Sequence, residues 1–149
     1  MRKHYGIQVP KGYFEESIDM KALMHNELVN AKWADTLRYY DYDEILENAK
    51  LNQREDEEEV VRVERSPYRM LDGTVYKGQW SKNLLVKEGY GIQVWSDGSI
   101  YEGLWANNKA NGKGRLISAN GDVYIGEWKD DMSHGKGLFM EHGGTVYIG

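Results

Sequence analysis

Tyr76-Lys77-Gly78-Gln79-Trp80 returns as Tyr101-Glu102-Gly103-Leu104-Trp105 and again as Tyr124-Ile125-Gly126-Glu127-Trp128, and a fourth copy begins at Tyr147-Ile148-Gly149. Between the copies stand Gly89-Tyr90-Gly91, Gly112-Lys113-Gly114 and Gly135-Lys136-Gly137. Successive tyrosines lie 25, 23 and 23 residues apart and the glycine pairs 23 and 23, so the first unit carries two extra residues within Ser81–Glu88. A turn dipeptide precedes each tyrosine: Asp72-Gly73, Asp97-Gly98, Asn120-Gly121 and Gly143-Gly144. Self-similarity at a fixed period of this size marks stacked supersecondary units.

Each part of the unit has a physical reading. Asp-Gly and Asn-Gly favour type I′ turns, because both central residues need positive φ, so two-residue hairpins are expected there. In the strand that follows, Tyr, Gly and Trp fall at alternate positions and share one face. Lys77, Gln79, Glu102 and Glu127 fall on the other face, which is expected to meet water. Glycine inside a strand costs about 0.5–1 kcal/mol relative to Ala, so something must need its bareness. The expected cause is close backbone approach, or an aromatic ring from the next hairpin laid over the missing side chain. On that argument Gly78, Gly89, Gly91, Gly103, Gly112, Gly114, Gly126, Gly135 and Gly137 are structural.

A single hairpin is marginal in water. Burying a Tyr or Trp removes about 150–250 Å² from solvent, roughly 4–6 kcal/mol gross. Several such rings stacked through successive hairpins offset the ordering entropy where one unit cannot, so stability is nearest-neighbour in kind. The fold expected is mainly β: an elongated, twisted antiparallel sheet of stacked hairpins.

Outward from the repeats, the composition divides in two. Residues 1–67 hold 10 Lys/Arg against 15 Asp/Glu, whereas residues 68–149 hold 9 of each and 15 of the 17 glycines. The whole net charge of −5 therefore sits in the first part. That part reads as an acidic, largely helical arm, and residues 68–149 as an array of three repeats plus a truncated fourth. From Ser17, a plausible N-cap, Met20, Met24, Leu28 and Ala31 recur at helical spacing, as do Val29, Trp33, Leu37 and Tyr40. Asp41 and Asp43 are candidate starts for a second short helix carrying Ile45, Leu46 and Ala49. The run Glu55-Asp56-Glu57-Glu58-Glu59 reads as a solvated linker or helix end, with a docking site for a basic partner as the alternative. So few large apolar side chains hardly build an independent core, and the arm is expected to lean on the array or on another protein. Tyr5-Gly6-Ile7-Gln8-Val9 is identical to Tyr90-Gly91-Ile92-Gln93-Val94, either a degenerate half-repeat or a coincidence of a short β-prone pentapeptide. Stopping at Gly149 leaves the last unit without its tryptophan and return strand, which is expected to leave an aromatic edge for further chain or a partner to cover.

The same residues exclude much chemistry. With no Cys there is no disulfide, thiolate nucleophile or Cys-based zinc site. No apolar run approaches the ~20 residues of a membrane-spanning helix, and the opening MRKHYGIQVP lacks a secretory apolar core. The acidic balance argues against nucleic acid as a partner. Gly-x-Gly here lacks the third glycine and following helix of a dinucleotide loop. His4, His25, His134 and His142 are scattered; the last two fall across one hairpin with no third ligand in view. Asp130-Asp131 falls where a hairpin turn is expected. Nothing calls for a cofactor, a metal or a catalytic residue.

Tyr-x-Gly-x-Trp, a variable loop, Gly-x-Gly and then Asp/Asn-Gly together resemble the MORN repeat over about residues 71–149. The resemblance implies a curved open sheet with an aromatic-lined groove, contributed by Tyr76, Trp80, Tyr101, Trp105, Tyr124 and Trp128 as the partner-binding residues. It also implies a non-enzymatic scaffold, a subunit of a large multiprotein assembly of ciliary or cytoskeletal type in the cytoplasm. The groove suits a helix or extended segment, and residues 17–40 are candidates to fill it, with Trp33, Leu37 and Tyr40 as anchors. Two alternatives stand beside that reading. One is a module binding anionic lipid weakly through Lys82, Lys87, Lys109 and Lys129, such as the front end of a phosphoinositide kinase. The other is an accessory subunit of an organellar membrane complex.

Overall fold

Tyrosine, glycine and tryptophan do alternate on one face of a sheet. The computed structural model describes residues 10–39, 43–45, 47, 61–82 and 85–149. The pentapeptide at 5–9, the acidic run at 55–59, Tyr40, Asp41, Leu46 and Ala49 lie outside the described residues. Among the described residues ten strands form one open antiparallel sheet. The repeats supply β4 (Val75–Ser81), β5 (Lys87–Val94), β6 (Ile100–Ala106), β7 (Lys109–Ile117), β8 (Val123–Lys129), β9 (Met132–Met140) and β10 (Val146–Ile148), each hydrogen-bonded to the next. Residues preceding them add β1 (Gly12–Phe14), β2 (Arg62–Glu64) and β3 (Tyr68–Met70). Strand β2 pairs with β4 through Val63 opposite Trp80, β3 pairs with β4 through Tyr68 opposite Tyr76, and β1 pairs with β3.

The register explains the glycines. Gly78 lies opposite Gly91, Gly103 opposite Gly114, and Gly126 opposite Gly137. A Cβ on Gly91, Gly114 or Gly137 would run into the ring of Tyr76, Tyr101 or Tyr124 respectively, the tyrosine of the preceding strand. Just beyond each pair the register shifts in a bulge, and Gly89, Gly112 and Gly135 sit beside it with φ of +95°, +96° and +63°.

The turns come out the other way round from the type I′ expectation. At Trp95–Ser99 the Gly98 N–H donates to Trp95 O at 2.9 Å, and only Gly98 has positive φ, so the loop has three residues with glycine last. Asp72, Asp97 and Asn120 keep negative φ and instead accept from the N–H two residues on, at 2.9–3.1 Å. The two-residue turns with positive φ at both positions are Asn107-Asn108 and Asp130-Asp131, at the opposite end of the sheet. In the first unit the stretch of sequence between β4 and β5 is longer by the two extra residues.

Helix forms in the arm, but in shorter pieces than the periodicity suggests. Helix α1 (Met20–Leu23) is capped by Asp19 rather than Ser17, and α2 (Glu27–Asp35) by Asn26, whose Oδ1 accepts from Val29 N–H at 3.1 Å. A 3-10 turn, Leu37–Tyr39, follows. Asn26 Nδ2 donates to Asp97 O at 3.3 Å and Ala119 O at 3.2 Å, fastening the start of α2 across two successive turns of the array.

Two cores result, one on each face. Tyr68, Met70, Tyr76, Trp80, Tyr101, Trp105 and Ala110 form the first. Val29 of α2 joins Val94, Ile100, Ile117 and Val123 in the second, with Trp33 and Met24 packed around them. The arm therefore covers the face opposite the aromatic one, which corrects the expectation that residues 17–40 fill the aromatic groove. Leu37 is 57% exposed. The physical reason is that Ile100 and Val123, each just before a tyrosine, with Val94 and Ile117 give the second face its own apolar stripe, which packs on Val29 of α2.

Glu102 is corrected on the same ground. It does not meet water: it is 8% exposed and pairs at 3.3 Å with Arg115, whose side chain is fully buried. Arg115 also donates to Trp33 O at 2.8 Å and Thr36 Oγ1 at 3.1 Å, and its guanidinium lies 3.9 Å from the centre of the Trp33 ring. A cation on the sheet thus holds the C-terminal end of α2. Gln79 turns inward as well, accepting from Tyr90 N–H, while Lys77 and Glu127 are exposed.

Candidate partner-binding face

The aromatic face is a continuous ladder. Phe14, Tyr68, Trp80, Tyr76, Trp105, Tyr101, Trp128 and Tyr124 follow one another at centroid separations of 5.0–5.5 Å. From Tyr68 to Tyr124 every pair is edge-to-face, the arrangement that sets a positive ring edge on a negative ring face. Backbone oxygens take the polar atoms of five of these rings. Tyr76, Tyr101 and Tyr124 hydroxyls donate to Gln79 O, Leu104 O and Glu127 O at 2.6, 2.9 and 3.2 Å. Trp105 and Trp128 Nε1–H donate to Gly91 O and Gly114 O at 3.1 and 3.2 Å. A tyrosine over a glycine and a tryptophan bonded across the next strand thus make one repeated joint.

Of the six aromatics expected to line a groove, Tyr76, Trp80, Tyr101 and Trp105 are buried, and Tyr124 and Trp128 are half-buried. The structure brings all six into one ladder. Beside its middle a cavity of about 870 Å³ opens, reached by Tyr101, Trp105 and Trp128 together with Trp95, Leu116 and Ala110. Its polar lining includes Lys87, Gln93, Asp72, Asp97, Lys109 and Asp131.

Lys87 is the residue that sequence reasoning misplaced, by counting it with the loop lysines of a lipid-facing rim. It is 4% exposed. Its ammonium stands 4.7 Å from the centre of the Trp105 ring and 5.3 Å from that of Tyr76, and donates to Gln93 Oε1 at 2.5 Å. Burial pushes its pKa down to about 8, against the pull of the Asp131 and Asp72 carboxylates. Asp72 itself is held below the usual carboxylate range, chiefly by the backbone N–H of Thr74. Burial raises the Tyr76 hydroxyl well above the ordinary phenol range, helped by Glu88 and Glu64. The signal for Lys87 was in the register: it stands opposite Trp80 on the aromatic face of β5, two residues before Gly89.

Among the described residues no three His, Asp or Glu side chains gather as metal ligands would, and no helix is long and apolar enough to cross a membrane. His134 and His142 are both exposed.

An open sheet built from one β-hairpin unit, with rings interlocked along one face and a helix clamped to the other, defines a solenoid-like repeat array. Residues 76–100, 101–123 and 124–140 match the family model for the MORN repeat. MORN repeats have protein- and membrane-binding roles, and the family is typically non-catalytic. No curated protein sequence matches the chain.

Proposed function

We propose that this protein is a non-enzymatic scaffold subunit that receives another protein on its aromatic face, within a large assembly of ciliary or cytoskeletal type. The observation that supports this most is the asymmetry of the sheet. One face is already covered by α2, with Val29 fully buried. The other carries a cavity of about 870 Å³ among Trp95, Tyr101, Trp105 and Trp128. Tryptophan and tyrosine in a partly open, rigid setting are the side chains that carry most binding energy at protein interfaces. A ladder locked by edge-to-face contacts and backbone hydrogen bonds is preorganised, which lowers the entropy cost of association. The arm of residues 1–67 and the array of 68–149 act together in this reading, the arm closing one side of the sheet. Lipid is the less favoured ligand, because Lys109 and Lys129 share their end of the sheet with Asp130 and Asp131.

The test is affinity purification of the tagged protein from its own cells at mild salt, with mass spectrometry of what is recovered. A fixed set of axonemal or cytoskeletal subunits supports the proposal. Recovery of the chain alone at monomer size overturns it, and salt-sensitive binding to acidic vesicles would then move the weight to lipid.

A further inference from the structure

Lys87 and Ala110 hold the same place in successive repeats, 23 residues apart. The ring pairs beside them also correspond. Tyr76 and Trp105 stand 5.4 Å apart at 85°, and Tyr101 and Trp128 stand 5.4 Å apart at 90°. Over the first pair the chain lays its own ammonium, that of Lys87. Over the second pair Ala110 offers only a methyl group, and the cavity reaches Ala110, Tyr101 and Trp128.

The neighbouring turn residue changes in step. The backbone N–H of Lys87 donates to Asn108 Oδ1 at 2.7 Å, and that of Ala110 donates to Asp131 Oδ1 at 2.8 Å. The two residues do the same backbone work, yet the neutral amide stands where the chain supplies a cation and the carboxylate where it supplies none. Asp97 and Asp72 add negative charge to the same cavity. The sheet thus seats a lysine over one ring pair and sets a carboxylate, with no lysine, beside the next.

We propose that the step between Tyr101 and Trp128 is a pocket for a lysine side chain of a protein partner, seated above Ala110 as Lys87 is seated one repeat earlier and balanced by Asp131. The proposal rests on the reading of this face as the partner-binding one. Equivalent positions two strands apart are about 10 Å from each other. The Asp131 carboxylate, which already pulls on Lys87 and is bonded to the Ala110 N–H, offsets the repulsion between Lys87 and an incoming ammonium.

The test uses the whole chain and the peptide acetyl-Gly-Thr-Lys-Thr-Gly-amide, with norleucine in place of lysine as the control, titrated by NMR on the Trp128 indole N–H. The lysine peptide is expected to give a saturable shift at Trp128 and the norleucine peptide none. Asp131→Asn keeps the backbone acceptor, as Asn108 does, and is expected to weaken binding threefold or more. Ala110→Lys is expected to abolish binding and to show the introduced ε-methylene protons shifted upfield by the rings, the same shift expected of those of Lys87. No saturable shift, or equal binding of the norleucine peptide, or equal binding by Asp131→Asn, overturns the pocket. The scaffold reading is decided separately by the purification: subunits recovered equally by wild type and Ala110→Lys leave it standing while removing the lysine site.

Discussion

Gly114→Ala isolates the joint on which the array depends. Gly114 has no positive φ, so alanine is free to adopt its backbone and the effect is steric alone. The new Cβ would stand 2.6 Å from Cε2 of Tyr101, with the rest of the ring edge closer still. That ring cannot step aside without loss. It is 2% exposed, packs edge-on against Trp105 at 5.0 Å and Trp128 at 5.4 Å, and donates to Leu104 O at 2.9 Å. Overpacking costs about 1–3 kcal/mol, the hydrogen bond about 1, and a weakened aromatic pair about 0.5–1.5. The expected destabilisation is therefore about 3–4 kcal/mol, read from urea unfolding. On a Tyr101→Ala background the ring that Cβ strikes is gone, and Gly114→Ala should then cost nothing or stabilise by about 0.5 kcal/mol. Additive costs in the double variant would refute the account of why these glycines are bare.

Three further outcomes follow from the two faces. Glu102→Lys sets a second cation against the buried Arg115 and should destabilise by about 3–5 kcal/mol, whereas Lys77→Glu at an exposed position should change stability by less than about 0.5; equal effects on thermal unfolding would remove the buried pair. Lys87 has a native pKa of about 8, below its ordinary 10.5, so between these values the unfolded chain binds more protons and stability rises with pH. Wild type should gain about 2 kcal/mol over Lys87→Met between pH 7 and 9.5 in urea titrations, and parallel curves would contradict that burial. Above about pH 10 the raised Tyr76 acts in the opposite sense, since its hydroxyl stays protonated longer in the folded state. Asn26→Ala should release the start of α2 at a cost of about 2 kcal/mol, seen as loss of the dispersed Trp33 indole signal while the Trp105 and Trp128 signals stay in place.

The repeat made the sheet legible because its two signals are local. Alternation at Tyr76, Gly78 and Trp80 sets a strand face, and recurrence in register sets which strands meet. The glycine pairs follow, since Gly103 and Gly114 are forced opposite each other once the strands are. Turn chemistry was read too quickly: Asp97-Gly98 looks like a type I′ pair, yet Asp97 accepts from Ser99 N–H and leaves positive φ to glycine alone. The unread part was the second face. Ile100 and Val123, each just before a tyrosine, spell out an apolar stripe on the side assigned to water, and with it the burial of Glu102. A helix with two apolar edges does not say which face of a sheet it will take, and that choice rests on contacts far apart in sequence, such as Asn26 with Ala119 and Trp33 with Arg115. Strands β1 and β2 were hidden for the same reason, being three residues long and paired only through the array.

The central claim is that a protein partner meets the aromatic face while the chain's own helix keeps the other. It is tested most directly by photo-crosslinking in the native cells, with a benzophenone amino acid placed at one exposed position at a time. Ser96 and Lys109 stand on the rim of the aromatic-face cavity. Lys21 and Ala34 are exposed on the helices that cover the opposite face. The account predicts the same discrete adduct from both rim positions and none from the helical ones. Adducts from Lys21 and Ala34 with nothing from Ser96 and Lys109 would contradict it.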